Sequence, residues 1–375
     1  MLIRNNAPVF GADANPYHQP GEWQLSLSSR NLVSNDHYAG GEEQIQRQRL
    51  QNYVTNRQNL ADVNISRTMT ERWTLSVGIP YVNSSWASRD PRYPLPAERR
   101  EVEQNGRGLG DISVGGRYWI FDTKTHSDRN VSAGAGLKMP TGNSKERDFY
   151  VDSQGNNPQQ RFVDQSVQPG DGGWGLMLEA AAFTRSKRVL AFGSGSYLMN
   201  PKNRSDTPSL TLSRLPPGMA PNPNQSDRLY NSVPDQYVAR LGVTVPVWKG
   251  LAASVAWRVE GLPRYDLIGD SNGFRRPGKA MFVEPGISYS KRGQTFTVNV
   301  PLGYYYHRHP DPNTSREGDA TFPRHIFLTS YSLKLGRRQS TPLAPTTPPI
   351  PGARPIGSQE TSNLVCAAAP VLSPN

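Results

Sequence analysis

The alternation that decides the fold runs through residues 236–260, which read QYVARLGVTVPVWKGLAASVAWRVE. Every second residue of each half is apolar, and the residues between are mostly small or polar. The apolar residues of the first half are Tyr237, Ala239, Leu241, Val243, Val245 and Val247, and those of the second are Leu251, Ala253, Val255, Trp257 and Val259. A period of two is typical of a β-strand with one apolar face. The Lys249-Gly250 pair between the halves predicts a tight hairpin.

The same period recurs along the chain and predicts twelve strands. Their expected ranges are 22–33, 50–68, 73–87, 108–121, 131–142, 173–185, 189–200, 235–248, 251–267, 279–290, 295–308 and 322–337. The connections alternate strictly between short and long. The short ones are 69–72, 122–130, 186–188, 249–250 and 291–294, and the long ones are 34–49, 88–107, 143–172, 201–234, 268–278 and 309–321.

This alternation of connections favours a membrane barrel over a soluble β-sandwich or propeller, the alternatives with the same strand content. Outer-membrane barrels have tight periplasmic turns and long extracellular loops. The expected strands are also longer than those of soluble sheets and suit a tilted membrane span. We therefore expect an all-β chain, folded as a single antiparallel transmembrane β-barrel of about twelve strands in the bacterial outer membrane.

The composition agrees with this interpretation and excludes other classes. The 375 residues include 34 Gly and 33 Pro, which disfavours long helices. No apolar stretch is long enough for a membrane-spanning helix, and a barrel needs apolar residues only at alternate positions. The net charge of +11 suits anionic partners, such as the lipid and lipopolysaccharide of the outer membrane. The basic residues are dispersed, so we expect no nucleic-acid binding.

The chain divides into three segments. Residues 1–20 contain Ala12-Asp13-Ala14, which resembles a signal-peptidase site, after an apolar stretch too short for a complete leader. Residues 21–337 form the expected barrel. Residues 338–375 are rich in proline and are expected to be disordered. This last segment holds the single cysteine, Cys366, so the barrel can carry no disulfide or cysteine-based metal site.

The two faces of the expected strands differ in chemistry. The apolar face carries aromatic residues near strand ends, as in the aromatic girdles of membrane barrels. These residues are Trp23, Trp73, Tyr118, Trp174, Trp248, Tyr289 and Tyr306. The opposite face carries charges of both signs, which neither lipid nor a dry core accepts unpaired. We expect the lumen to be lined by Asp111, Arg117, Lys138, Glu179, Arg240, Arg258, Glu260, Glu284 and Lys334.

Prolines inside the expected strands conflict with this scheme. A proline within a strand removes a hydrogen bond from the ladder. Bulges, kinks and the points where strands leave the membrane are alternative explanations. The residues concerned are Pro80, Pro140, Pro246, Pro285 and Pro301.

Three motifs carry a resemblance to a known family. They are MTERWTLSVGIPY at 69–81, GLGDISVGGRY at 108–118 and GLKMPTG at 136–142. In this order they resemble a family of outer-membrane transporters associated with phenol meta-cleavage gene clusters. The resemblance implies a barrel that passes small, hydrophobic or aromatic compounds. One departure is that the last expected strand ends near Leu335-Gly336 without the usual terminal aromatic residue, and the chain continues to Asn375.

Catalytic and metal-binding patterns find little support. A twelve-strand outer-membrane phospholipase resembles a serine hydrolase with His and Ser two residues apart, whereas His307 and His309 enclose Arg308 with no Ser in place. His307, His309 and Asp311 could ligate a metal, but a solvated loop fits the pattern better. We therefore expect no enzyme, metal or cofactor. The leading hypothesis is a channel for small solutes, and the alternative is a plugged barrel whose long loops bind a partner.

Overall fold

The computed structural model describes residues 16–89, 101–150, 159–213, 215, 218–312 and 318–336. Twelve strands form one closed antiparallel barrel, in which each strand pairs with its neighbours in sequence and the last pairs with the first. They are β1 Trp23–Ala39, β2 Val54–Thr68, β3 Trp73–Arg89, β4 in two segments Glu101–Leu109 and Ser113–Trp119, β5 Arg129–Lys138, β6 Gly175–Ser186, β7 Val189–Met199, β8 Gln236–Trp248, β9 Leu251–Leu262, β10 Gly278–Lys291, β11 in two segments Gln294–Asn299 and Leu302–Arg308, and β12 Asp319–Leu335. The predicted fold class and strand count are confirmed.

The extracellular loops contain short elements of their own. Two small hairpins pair Arg147–Tyr150 with Gln159–Phe162 and Arg204–Pro208 with Tyr230–Ser232. The remaining elements are the strand Glu42–Glu43, the α-helices Ile45–Arg49 and Leu210–Ser213, and the 3-10 helices Gln165–Val167 and Pro223–Arg228. In the part of the chain that the structure describes, no helix has the length and apolar character needed to cross a membrane.

The alternation along the strands separates an apolar exterior from a polar interior. Leu241 and Ile287 are 64% and 59% exposed on the outside, whereas Arg258 and Glu284 are each 1% exposed inside. Apolar residues that face outward in this way contact lipid in a membrane barrel. The exterior also carries exposed aromatic rings near strand ends, among them Trp23, Trp73, Trp248 and Tyr289.

The prediction for Tyr306 is wrong, because this residue lies inside the barrel. It is 8% exposed and packs against Phe282 and Phe322. The register explains the error: Met281 pairs with Tyr305 and Phe282 with Gly303, so one extra residue of β11 is inserted between them. Such a β-bulge changes the phase of the alternation beyond it.

Breaks in the ladder explain the prolines. Gly286 of β10 pairs with Asn299 and Val283 with Leu302, so Pro285 faces the break in β11, where its carbonyl accepts from the Val300 N–H at 2.9 Å. Pro80 faces the break in β4 in the same way and accepts from the Gly110 N–H at 2.8 Å. Pro301 lies in the β11 break itself, Pro246 lies beside a register shift of β8, and Pro140 follows the end of β5. These prolines sit where the ladder needs no donor.

Some predicted bounds differ from the observed ones. β1 continues to Ala39, where it pairs with Asp319 of β12, and the first segment of β4 begins at Glu101, where it pairs with Arg89 of β3. The interpretation of residues 1–20 falls on described residues only from 16 onward. The proposed disordered tail at 338–375, with Cys366, lies outside the described residues.

Candidate functional site: the barrel interior

An ion pair crosses the barrel interior between β1 and β9. Arg30 Nη2 lies 2.5 Å from Glu260 Oε1 and Arg30 Nη1 lies 3.1 Å from Glu260 Oε2. Three strands separate β9 from β1 around the wall, so the pair spans the lumen rather than following it. Both side chains are buried, with exposed fractions of 6% and 2%. The parity of β1 puts Arg30 on the charged face of the strand, but its pairing with Glu260 could not be predicted because the two residues are 230 positions apart.

The network continues along β8, β9 and β10. Arg258 donates to Glu260 at 2.7 Å and to Glu284 at 3.4 Å, and Arg240 also donates to Glu284. Four residues expected to line the lumen are thus brought together. Register places Arg240 directly opposite Arg258, and the glutamates separate these like charges. Buried charges are tolerated because each has a partner of opposite sign.

A second ion pair bridges β4 and β6. Arg117 Nη2 lies 3.0 Å from Glu179 Oε2, across Gly134 of the intervening β5. A Cβ at Gly134 would approach the Glu179 carboxylate to 3.5 Å and the Gly116 carbonyl oxygen to 3.0 Å. The tight contact is with the backbone of β4, whereas the approach to the carboxylate is an ordinary van der Waals contact.

Asp111 and Lys138 fasten the loop between β5 and β6. Asp111 sits in the break of β4, where its carboxylate accepts from the Gly142 N–H at 2.9 Å and the Asp171 N–H at 3.2 Å. Lys138 donates to Asp171 and lies 3.8 Å from Asp111. Lys334, opposite Gln24 in register, lies near the periplasmic end of β12 and apart from these groups.

The middle of the same loop enters the lumen. Asn56 Nδ2 of β2 donates to Ser166 Oγ at 2.6 Å, and a Cβ at Gly106 of β4 would stand 2.0 Å from the Val167 carbonyl oxygen. Arg276 holds Asp164 with two hydrogen bonds, at 2.9 and 2.7 Å. Burial opposes ionisation of Asp164, but Arg276 and the Ser166 hydrogen bonds outweigh it and lower the pKa of Asp164 to about 2. No motif in the sequence indicates that this loop folds into the lumen.

An aromatic cluster fills the periplasmic end of the interior. Tyr17 lies edge-on to Trp119 and Phe183, with ring centroids 5.0 and 5.7 Å apart. Its hydroxyl donates to the His126 carbonyl oxygen at 2.5 Å and accepts from Asn130 Nδ2 at 2.9 Å. The segment before β1 therefore contributes a side chain to the lumen.

A cavity of about 280 Å³ lies in the interior, beside the Arg30–Glu260 pair and the inserted loop. Its wall combines apolar side chains with charged pairs. The apolar members include Leu32, Trp86, Met177, Leu198, Leu262 and Phe322, and the charged members include Arg30, Asp111, Lys138, Asp171 and Glu260. A site of this kind suits a small solute with an apolar body and a polar group.

The candidate metal ligands do not converge. The rings of His307 and His309 lie 4.9 Å apart, but Asp311 accepts from Arg308 Nη2 at 2.6 Å. Among the residues that the structure describes, no group of three His, Cys, Asp or Glu side chains is placed to hold a metal ion.

Comparisons with known proteins bear on the fold. No family model and no curated protein matches the chain. Among solved structures, it is similar to an outer membrane channel from Pseudomonas putida F1, with a TM-score of 0.56, 12% identity, and coverage of 87% of this chain and 100% of that one. At this identity the likeness shows the fold, which is that of a bacterial outer-membrane barrel.

Two further structures are less similar. The translocator domain of the autotransporter NalP from Neisseria meningitidis gives a TM-score of 0.42 at 11% identity, covering 85% of this chain and 90% of that one. The toluene transporter TbuX from Ralstonia pickettii gives 0.41 at 8% identity, covering 86% and 92%. The closed barrel with its apolar exterior places the chain in the outer membrane.

Proposed function

We propose that the chain is a non-catalytic outer-membrane channel that passes small, hydrophobic or aromatic solutes through the barrel interior. The observation that carries the proposal is the cavity of about 280 Å³, whose wall sets Leu198, Leu262 and Phe322 beside charged pairs. The similar structure from Pseudomonas putida F1 is an outer membrane channel, and the motifs at 69–142 resemble transporters linked to phenol degradation. Both support the proposal.

In the proposed mechanism, a solute diffuses down its gradient from the cavity towards the periplasmic end. It passes the ion pairs of the interior, whose mixed charges set selectivity. The residues proposed to line this route are Asp111, Arg117, Lys138, Glu179, Arg240, Arg258, Glu260, Glu284 and Lys334. Because these charges are largely paired, the interior has no large net charge of one sign. We therefore expect neutral solutes to pass more readily than ions.

A second candidate is a plugged barrel whose long loops bind a partner. The Arg30–Glu260 bridge, the inserted loop and the Tyr17 cluster favour it, since each occupies the lumen. The two candidates differ in a single property, the passage of solutes.

Solute entry into reconstituted vesicles separates the candidates. Vesicles whose outer leaflet contains lipopolysaccharide resist apolar solutes, so entry of a radiolabelled neutral monoaromatic can be timed with and without the protein. We expect the protein to accelerate entry several-fold. No acceleration, together with intact barrel folding, would favour the plugged barrel. Replacing Arg188, an exposed arginine of the periplasmic turn at 187–188, with Gln provides a control variant that leaves entry unchanged.

A further inference from the structure

A cluster of one lysine and two histidines lies on the outer face of the barrel, away from the lumen. Lys279 belongs to the row of β10 that includes Val283 and Ile287, which are 45% and 59% exposed. Its neighbours Gly278 and Ala280 are buried and line the cavity. Lys279 therefore points outward at the extracellular end of β10.

Two histidines of β11 and the following loop join it. Register pairs Lys279 with His307, so the two side chains are direct cross-strand neighbours. Tyr305 is 40% exposed and Tyr306 only 8%, which places His307 on the outer face with Tyr305. The ring of His309 lies 4.9 Å from that of His307. We call Lys279, His307 and His309 the rim cluster.

No acidic side chain balances the rim cluster within the described residues. None of its three members takes part in an ion pair there. Burial, followed by His307, Lys279 and other basic neighbours, lowers the pKa of His309, so its imidazole is a neutral hydrogen-bond donor at neutral pH. The Lys279 ammonium lies 5.6 Å from the ring of Tyr305, against which His307 stacks at 5°. Within the described part of the chain, the cluster is thus a set of hydrogen-bond donors that no carboxylate pairs with.

Its height relative to the membrane follows from the aromatic residues below it. Trp257 and Tyr304 are 40% and 57% exposed on the outer face, and Trp257 Nε1 donates to the Tyr304 hydroxyl at 2.9 Å. Outward aromatic rings of this kind lie at the boundary of hydrocarbon and headgroups. Met281 of β10 pairs with Tyr305 of β11. Lys279 lies two residues from Met281 towards the extracellular end, which is about 7 Å further from the membrane centre along the strand. The rim cluster therefore lies at the level of the outer-leaflet headgroups.

We propose that the rim cluster binds a phosphate of the phosphorylated glucosamine headgroup of lipopolysaccharide. Charge complementarity argues for this occupant: the outer leaflet presents phosphate oxyanions at the height where the Lys279 ammonium and two imidazole donors meet, and none of the three forms an ion pair with another described residue. The site rests on the outer-membrane placement of the barrel and not on the passage of solutes.

Lipid retention tests the site. The full chain is reconstituted in phosphatidylcholine nanodiscs that contain bisphosphorylated lipid A, its dephosphorylated form, or phosphatidylglycerol, then extracted into detergent and weighed by native mass spectrometry. We expect wild type to retain bisphosphorylated lipid A, and the variant Lys279→Gln with His307→Gln to retain at least tenfold less. The matched control, Lys249→Gln with His126→Gln, removes the same residue types at the periplasmic end and should retain it as wild type does.

Three results would overturn the proposal. They are equal retention of the dephosphorylated lipid, equal retention of phosphatidylglycerol, and undiminished retention by the double variant. If the double variant fails to fold, His309→Gln in the loop provides the second test, with an expected loss of at least threefold. Solute entry should be unchanged in these variants, so failure of the lipid site and failure of the channel are distinguishable.

Discussion

Arg276 and Asp164 join two extracellular loops through a pair of hydrogen bonds of 2.9 and 2.7 Å. Asp164 is fully buried, and its carboxylate also accepts from the Ser166 N–H at 3.0 Å. The pair holds the inserted loop against the loop between β9 and β10, and so fixes one side of the cavity.

The first prediction concerns the loss of stability at acid pH that protonation of Asp164 should cause. The unfolded carboxyl of Asp164 titrates near its ordinary pKa of 3.8, whereas the folded one has a pKa of about 2. Between these two pKa values the unfolded state therefore binds more protons than the folded state. The ionised Asp164 contributes about 2 kcal/mol to the free energy of unfolding above pH 4, and this contribution is lost as the pH falls through 2. Urea unfolding in detergent between pH 2 and 7 measures it. Asp164→Asn should flatten this part of the profile, and an unchanged acid dependence would contradict the role of the pair.

Gly106→Ala should displace the inserted loop. A Cβ would stand 2.0 Å from the Val167 carbonyl oxygen, and this contact is with backbone. The loop must move out of the lumen, so we expect larger single-channel conductance in planar bilayers. Gly195→Ala on β7 is the control, because its Cβ would meet the Val238 carbonyl oxygen at an ordinary 3.5 Å. Equal conductance in both variants would show that the loop does not restrict the interior.

Tyr17 should restrict the periplasmic end. Tyr17→Ala removes a ring that packs on Trp119 and Phe183, and we expect it to lower the free energy of unfolding by about 3 kcal/mol and to raise conductance. Tyr17→Phe keeps the ring but loses the hydrogen bonds to His126 and Asn130. We expect this variant to lower the free energy of unfolding by about 1 kcal/mol and to leave conductance unchanged. Conductance that rises equally in both variants would assign the effect to the hydrogen bonds.

Glu260 should matter more to stability than Arg30. Glu260→Gln leaves the buried guanidinium groups of Arg30 and Arg258 without this carboxylate, and we expect a loss of about 3–5 kcal/mol in the free energy of unfolding. Arg30→Gln leaves Glu260 paired with Arg258 and should cost less. Glu71→Gln, which removes an exposed pair with Lys124, should have no measurable effect. A larger loss of unfolding free energy for Arg30→Gln than for Glu260→Gln would contradict the described network.

The period of two and the alternating loop lengths were sufficient to predict the barrel and its strand count. Tyr306 shows the limit, because a β-bulge in β11 is invisible to a pattern that assumes a regular period. The prolines at 80 and 285 became intelligible only with the breaks in the neighbouring strands. Arg30 was missed as a partner of Glu260, since closure of the barrel brings together residues 230 positions apart.

If solutes pass through the lumen, chemical modification of a cavity residue should block their passage. In a Cys366→Ser background, Leu198→Cys places a thiol in the cavity wall, and Leu241→Cys places one on the lipid-facing exterior. Entry of the labelled monoaromatic into vesicles is measured before and after reaction with a bulky thiol reagent. We expect modification to lower entry at least fivefold for Leu198→Cys and to leave entry through Leu241→Cys unchanged. Unchanged entry through modified Leu198→Cys would contradict passage through the lumen.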